Sequence, residues 1–183
     1  MSLTLITGRA NSGKTGRVYQ LLLEAASAGV GAILALPTQP DVQRAVRELS
    51  RRCPLGIRVA RLDDLIEESW RLRGDGRNLV GDSARLALCE RVVSGVHLEV
   101  IAEEARGRGL ASLLAQIVRR NGTDVRGDEG IARGIALLAD AYRSHLDARG
   151  LVEAADAVRQ LPRSQSPADT LIAAHRFTDL APA

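Results

Sequence analysis

The chain has 183 residues, about one domain, with 45% hydrophobic and 26% charged residues, a balance that excludes disorder, collagen-like repeats and a disulfide-stapled miniprotein. No apolar run is long enough to span a bilayer, and MSLTLITGRA lacks the basic flank and cleavage site of a secretory signal; the expectation is a cytoplasmic protein with no membrane contact. The net charge of +3 permits a nucleic-acid partner without demonstrating one, and Cys53 and Cys89, far apart and outside any C-x-x-C, read as small hydrophobes in a reducing compartment.

Leu3-Thr4-Leu5-Ile6-Thr7 is a short β-branched apolar run ending at Gly8, the pattern of a buried strand. From Lys14 to Ala28, Val18, Leu21, Leu22, Ala25 and Ala26 follow helical spacing, closed by Gly29. Ala32–Leu36 predicts a second buried strand, stopped by Pro37. A helix follows through Cys53 with Asp41 as its N-cap and Val42, Ala45, Val46 and Leu49 on one face. Ile57–Ala60 reads as a third strand and Asp63–Leu72 as a third helix. Strand and helix alternating over short connections predict an α/β fold with a parallel sheet.

Residues 74–81, GDGRNLVG, read as a loop, and from Asp82 to about Gly150 no convincing strand occurs. Asp82–Val93, Leu110–Arg120 and Asp128–Arg149 are predicted helices, the last with the stripe Ile131, Ile135, Leu138, Tyr142 and Leu146. Val152–Leu161 predicts one more short helix, and Thr170–Ala174 returns to a buried-strand pattern. The expected domain plan is a core in residues 1–73, a helical insertion over 82–161 and a return strand in 170–183.

One motif carries chemistry. Gly8-Arg9-Ala10-Asn11-Ser12-Gly13-Lys14-Thr15 fits G-x-x-x-x-G-K-S/T between a predicted strand and a predicted helix, and Lys14 is the only lysine in the chain. Given that lysine, the composition would produce the other three motif residues by chance roughly once in 1,200 cases. Glycines let successive main-chain N–H groups face one anion, and the helix adds its positive end. Lys14 would reach the β- and γ-phosphates of ATP, and the Thr15 hydroxyl would hold Mg²⁺.

The later segments add a resemblance. Leu34-Ala35-Leu36-Pro37-Thr38-Gln39 resembles motif Ia of superfamily-1 DNA helicases, a strand ending in a Pro-Thr-like turn near the DNA backbone. Tyr142 through Asp156 resembles the helix-and-turn segment that precedes motif II in UvrD-like helicases. Leu171–Leu180 stands where the Walker B strand belongs. Together these resemble the N-terminal part of AddB-type subunits of bacterial helicase–nucleases, which process double-strand breaks. The resemblance implies a P-loop NTPase (RecA-like) fold with an inserted helical subdomain, an AddA-type partner subunit, contact with the DNA phosphate backbone, and a chain that is a piece of a longer protein.

Within that family motif II reads like D-G-F-x-D-F. Here Phe177 and Asp179 match, but His175 and Arg176 stand at the D-G positions. Neither is a hard oxygen ligand or a carboxylate base, so the resemblance implies nucleotide binding with weak or absent hydrolysis, Asp179 being the remaining candidate for Mg²⁺ alongside Thr15.

Other features read more plainly. Arg71, Arg73, Arg77, Arg106, Arg108, Arg119, Arg120 and Arg126 could line a DNA path, but interspersed acids favour solvated surface. His97, His145 and His175 lack metal-ligand spacing, and Trp70 reads as core. Two other functions fit the phosphate loop. One is a small P-loop kinase using Asp63 or Asp64 and the arginines of 119–126, and the other a non-catalytic nucleotide-gated interaction module.

Overall fold

The structure is a computed structural model that describes residues 4, 6, 7, 12–52, 55–96, 108–127, 129–162 and 170–175. It is an α/β protein. In chain order the elements are α1 (Lys14–Ser27), β1 (Gly31–Leu36), α2 (Gln39–Leu49), β2 (Ile57–Arg61), α3 (Leu62–Arg73), β3 (Asn78–Leu79), α4 (Asp82–Gly95), α5 (Arg108–Asn121), α6 (Gly130–Asp147), β4 (Leu151–Val152), α7 (Ala154–Gln160) and β5 (Thr170–Ala174). They fall into two compact units, one from Met1–Leu65 with Arg163–Ala183, the other Ile66–Pro162.

The first unit holds a three-stranded parallel sheet in the order β2-β1-β5. β1 is central because its run Gly-Ala-Ile-Leu-Ala-Leu can be covered on both faces, and Ala32, Leu34, Ala35 and Leu36 are buried. Leu34 aligns with Val59 on one side and Ala173 on the other, and this face packs on Val18, Tyr19 and Leu22 of α1 and Val42, Ala45 and Leu49 of α2. Ile33 aligns with Arg58 and Ile172 on the opposite face, where Ile172 is 58% exposed. β5 is therefore half-exposed, in contrast to the buried strand its apolar run predicts.

The helix ends have local causes. α1 closes where Gly29 takes a left-handed φ of 73°, its N–H and that of Val30 bonding back to Ala26 and Ala25. α2 starts two residues before the predicted Asp41 cap. Thr38, in extended conformation, accepts from the Asp41 N–H at 3.3 Å and donates its hydroxyl to the Asp41 carboxylate at 2.6 Å. Pro40 then sits in the first turn, where its missing N–H costs nothing. The helix ends at Leu49, and Val46 is 45% exposed. Only Thr4, Ile6 and Thr7 of the predicted first strand are described. They carry no strand pairing, although Ile6 packs against the core.

The second unit is mainly helical. Leu88, Cys89, Val92 and Val93 of α4, Ala111, Leu114 and Val118 of α5, and Leu138, Ala139, Tyr142 and Leu146 of α6 form one core. The predicted α6 stripe is buried at these last three turns, while Ile131 at its start is 66% exposed. The 74–81 segment is not wholly a loop. Asn78–Leu79 pairs in parallel with Leu151–Val152, because the Trp70 indole donates to Arg77 O at 2.6 Å and Trp70 packs with Val152, Ala157, Leu79 and Leu161. Among the described residues no helix is long and apolar enough to cross a membrane.

Candidate functional site

Of the phosphate-loop residues, Gly8, Arg9, Ala10 and Asn11 lie outside the described residues; Ser12, Gly13, Lys14 and Thr15 lie within them. Gly13 caps α1 with φ 77° and ψ 10°, a left-handed conformation that an L side chain enters only at a cost of about 1 kcal/mol or more. Having no side chain, it places no capping oxygen over the first helical turn, and that turn contains no acidic residue. The positive end of α1 is therefore not offset by a carboxylate from its own sequence. Lys14 is the first helical residue, and its ammonium donates to Ser12 Oγ at 3.3 Å.

The fold brings a distant residue to this turn. His175 follows β5, and its N–H donates to Ala35 O at 3.1 Å, extending the ladder past the end of the strand. Its Nε2 lies 3.0 Å from Thr15 Oγ1, part-buried, across 160 positions of sequence. The imidazole tautomer decides which atom of that pair donates. Thr15, His175 and the Pro37-Thr38 turn thus belong to the carboxyl ends of the parallel strands and the start of α1, the edge where open α/β sheets take ligands. Thr38 uses its hydroxyl to cap α2. Arg176, Phe177 and Asp179 lie outside the described residues.

Thr15, one of the two candidates for Mg²⁺, has its hydroxyl hydrogen-bonded to the His175 ring nitrogen. Among the described residues no group of three or more His, Cys, Asp or Glu side chains is arranged to hold a metal. His145 sits partly buried in the last turn of α6 beside Arg149, and His97 is outside the described residues.

Several side chains of the alternative functions are paired: Asp64, Arg119 and Arg126. Asp64 is paired with Arg61, whose hydrogen bonds hold its carboxyl below the usual range. Arg119 pairs with Asp82 at 3.5 Å and Arg126 with Asp124 at 3.4 Å, both largely exposed, in keeping with solvated surface. Arg77 donates to Asp75, Asp147 and Gln160. It borders a recess of about 260 Å³ in the second unit whose other charged groups are likewise paired: Arg143 with Thr123, and Asp156 with Thr123 and Arg159.

A polar cluster that the sequence analysis did not single out lies in the core of the second unit. Glu153 is fully buried. It accepts from Arg85 Nε at 2.9 and 3.1 Å, from the Arg85 terminal nitrogen at 2.9 Å and from Tyr142 Oη at 2.6 Å. Arg85 also donates to Val80 O at 3.2 Å and to Asp82. Burial raises the Tyr142 hydroxyl well above its ordinary range, reinforced by the hydrogen bond and charge of Glu153. Burial opposes the Arg85 charge, but its bonds to Glu153 outweigh this and strengthen its basicity. One signal was available: Arg85 heads the spacing Arg85, Leu88, Cys89, Val92, a charge within an apolar stripe.

No protein-family model matches the chain, and no curated protein matches it.

Proposed function

We propose that residues 8–15 form a phosphate-binding loop for ATP in a P-loop NTPase (RecA-like) core with an inserted helical subdomain. On this reading the chain is the nucleotide-binding N-terminal segment of an AddB-type helicase–nuclease subunit acting in double-strand break repair, with an AddA-type partner. The observation that carries the reading is the 3.0 Å approach of His175 to Thr15. It supports the pairing of two motifs identified separately in the sequence, the loop before α1 and the strand end after β5.

The chemistry follows from the residue types. Main-chain amides at the start of α1 and the Lys14 ammonium bind and orient the β- and γ-phosphates. Hydrolysis needs one carboxylate for the metal and a following one to orient water, and His175 and Arg176 stand at those places in the motif. The chain therefore binds nucleotide and turns it over negligibly. When bound, Mg²⁺ would neutralise phosphate charge in this site, with Thr15 and Asp179 as the residues to hold it. Contact with DNA is made by arginine to phosphate, which is blind to sequence and weakened by salt.

Phosphate-release kinetics test this reading. The expected result is saturable ATP binding with no release above background, with or without DNA. Robust DNA-stimulated turnover, or phosphorylation of a small acceptor in a coupled panel, would contradict it.

A further inference from the structure

We infer that the outward face and carboxyl end of α2 form a binding surface for the phosphate backbone of duplex DNA, through Arg44, Arg47, Arg51 and Arg52. The inference rests on the DNA contact in the reading above and says where on the chain that contact is made. Residues 43–61 carry six arginines against Glu48 alone, a local charge of +5 in a chain whose net charge is +3. Arg44 and Arg47 lie on the side of α2 away from the buried Val42, Ala45 and Leu49. Ser50 keeps a right-handed helical conformation, its N–H bonded to Val46 O and that of Arg52 to Leu49 O, so the coil carries Arg51 and Arg52 on past Leu49. All four arginines are exposed, and none has an ion pair among the described residues. Arg47 is steadied by donating its Nε to Gln43 O at 3.2 Å. The residues of the first unit outside the description hold three arginines and two aspartates, so their composition does not offset this charge. One basic side chain answers the negative end of a helix, and four exceed that need. In the second unit, by contrast, Arg119 and Arg126 are paired with acids.

The chemistry of the partner follows from the side-chain type. A guanidinium gives a phosphate two parallel hydrogen bonds and sheds water more readily than an ammonium. Residues 43–61 hold no aromatic ring on which an unpaired base could stack. Arg44 to Arg51 spans roughly 10 Å at 1.5 Å per residue, a length in which a duplex presents about six phosphate charges. The surface fits a duplex backbone and is blind to base sequence.

The test is the fluorescence anisotropy of a labelled duplex of about 30 base pairs titrated with the whole chain at about 50 and 200 mM salt. With three or four phosphates neutralised, wild-type affinity is expected to fall about 40- to 150-fold between the two conditions. The combined variant Arg44→Gln, Arg47→Gln and Arg51→Gln is expected to bind at least about tenfold more weakly at the lower salt and to fall less than about fivefold across the range. If circular dichroism shows that it is unfolded, Arg51→Gln alone, past the end of α2, replaces it and is expected to lower the salt slope by about one. Arg119→Gln with Arg120→Gln and Arg126→Gln is expected to match wild type. A duplex of unrelated sequence is expected to bind equally, and a single strand of the same length no more tightly. Duplex binding that the α2 variant leaves unchanged overturns the inference and leaves the DNA contact standing elsewhere on the chain. So does binding lost only in the second-unit variant. Tighter binding of the single strand overturns it, as does binding to vesicles of equal parts phosphatidylserine and phosphatidylcholine with none to the duplex. No duplex binding at either salt removes the inference and the DNA contact together. The α2 variant is expected to keep its affinity for ATP, so the nucleotide reading stands or falls separately.

Discussion

Replacing Glu153 with leucine should unfold the helical unit at much lower denaturant. The substitution removes the acceptor of four contacts, three from Arg85 and one from Tyr142, all between 2.6 and 3.1 Å. It leaves an Arg85 side chain only 7% exposed, whose remaining partners are the Val80 carbonyl and an Asp82 carboxylate that is 71% exposed. An orphaned buried charge of this kind costs about 3–5 kcal/mol. The pair itself need not be worth that much, because burying it forfeited hydration. Arg85→Met combined with Glu153→Leu and Tyr142→Phe should therefore recover most of the loss, ending within about 2 kcal/mol of wild type. The assay is urea unfolding followed by the fluorescence of Trp70, the only tryptophan in the chain and 4% exposed in this unit. A Glu153→Leu cost below about 1 kcal/mol would refute the reasoning, since it would mean that water reaches the guanidinium. A triple variant as unstable as the single one would refute the second half.

Four further outcomes follow from particular contacts. Cys89 is fully buried, and burial, with the nearby Glu153 charge adding, pushes its thiol up from 9.0 to about 12. In the folded chain it should resist N-ethylmaleimide near pH 8, as read by mass spectrometry of its peptide, and labelling as fast as in urea would contradict this. Because the folded value lies above the unfolded one, the stability linked to this thiol is fully present below pH 9 and is lost as pH rises toward about 12. The urea midpoint should fall over that range more in wild type than in Cys89→Ala, and equal falls would contradict the linkage. Thr38→Ala should cost about 1 kcal/mol by removing the α2 cap, while Thr38→Ser should cost little; a melting comparison decides. Gly74→Ala would place a Cβ 2.5 Å from the Trp70 ring and its carbonyl oxygen, so it should destabilise by about 1–3 kcal/mol and shift Trp70 emission. An unchanged spectrum and melting point would show that the tight approach is relieved at no cost.

Long periodic segments were legible in the sequence because burial of one face imposes the period. Val42, Ala45 and Leu49, or Leu138, Tyr142 and Leu146, are buried as their spacing predicts. Trp70 and Cys89 are core, as expected from residue type. What the sequence did not reveal is set by partners distant in the chain. Arg85 stands out only as a charge at the head of an apolar stripe, and its partner is fixed only when Glu153, 68 residues later, is placed opposite it. The two-residue ladder of Asn78–Leu79 with Leu151–Val152 is too short for any periodicity to register. Thr38 and Asp41 are both good capping residues, and only the backbone shows that the threonine holds the N-cap and the aspartate answers it from the third helical position. Within the candidate site, the glycine and lysine of the motif led directly to the left-handed turn and the start of α1. The alignment of Thr15 with His175 required the sheet.

On the proposed reading, an anion pocket built on Lys14 and the opening amides of α1 binds ATP. Calorimetric titration of ATP into wild type and Lys14→Ala tests it most directly, with Trp70 fluorescence and circular dichroism to show that both are equally folded. Saturable one-to-one binding by wild type and none by the variant is the expected result. Equal affinity in the two would contradict it.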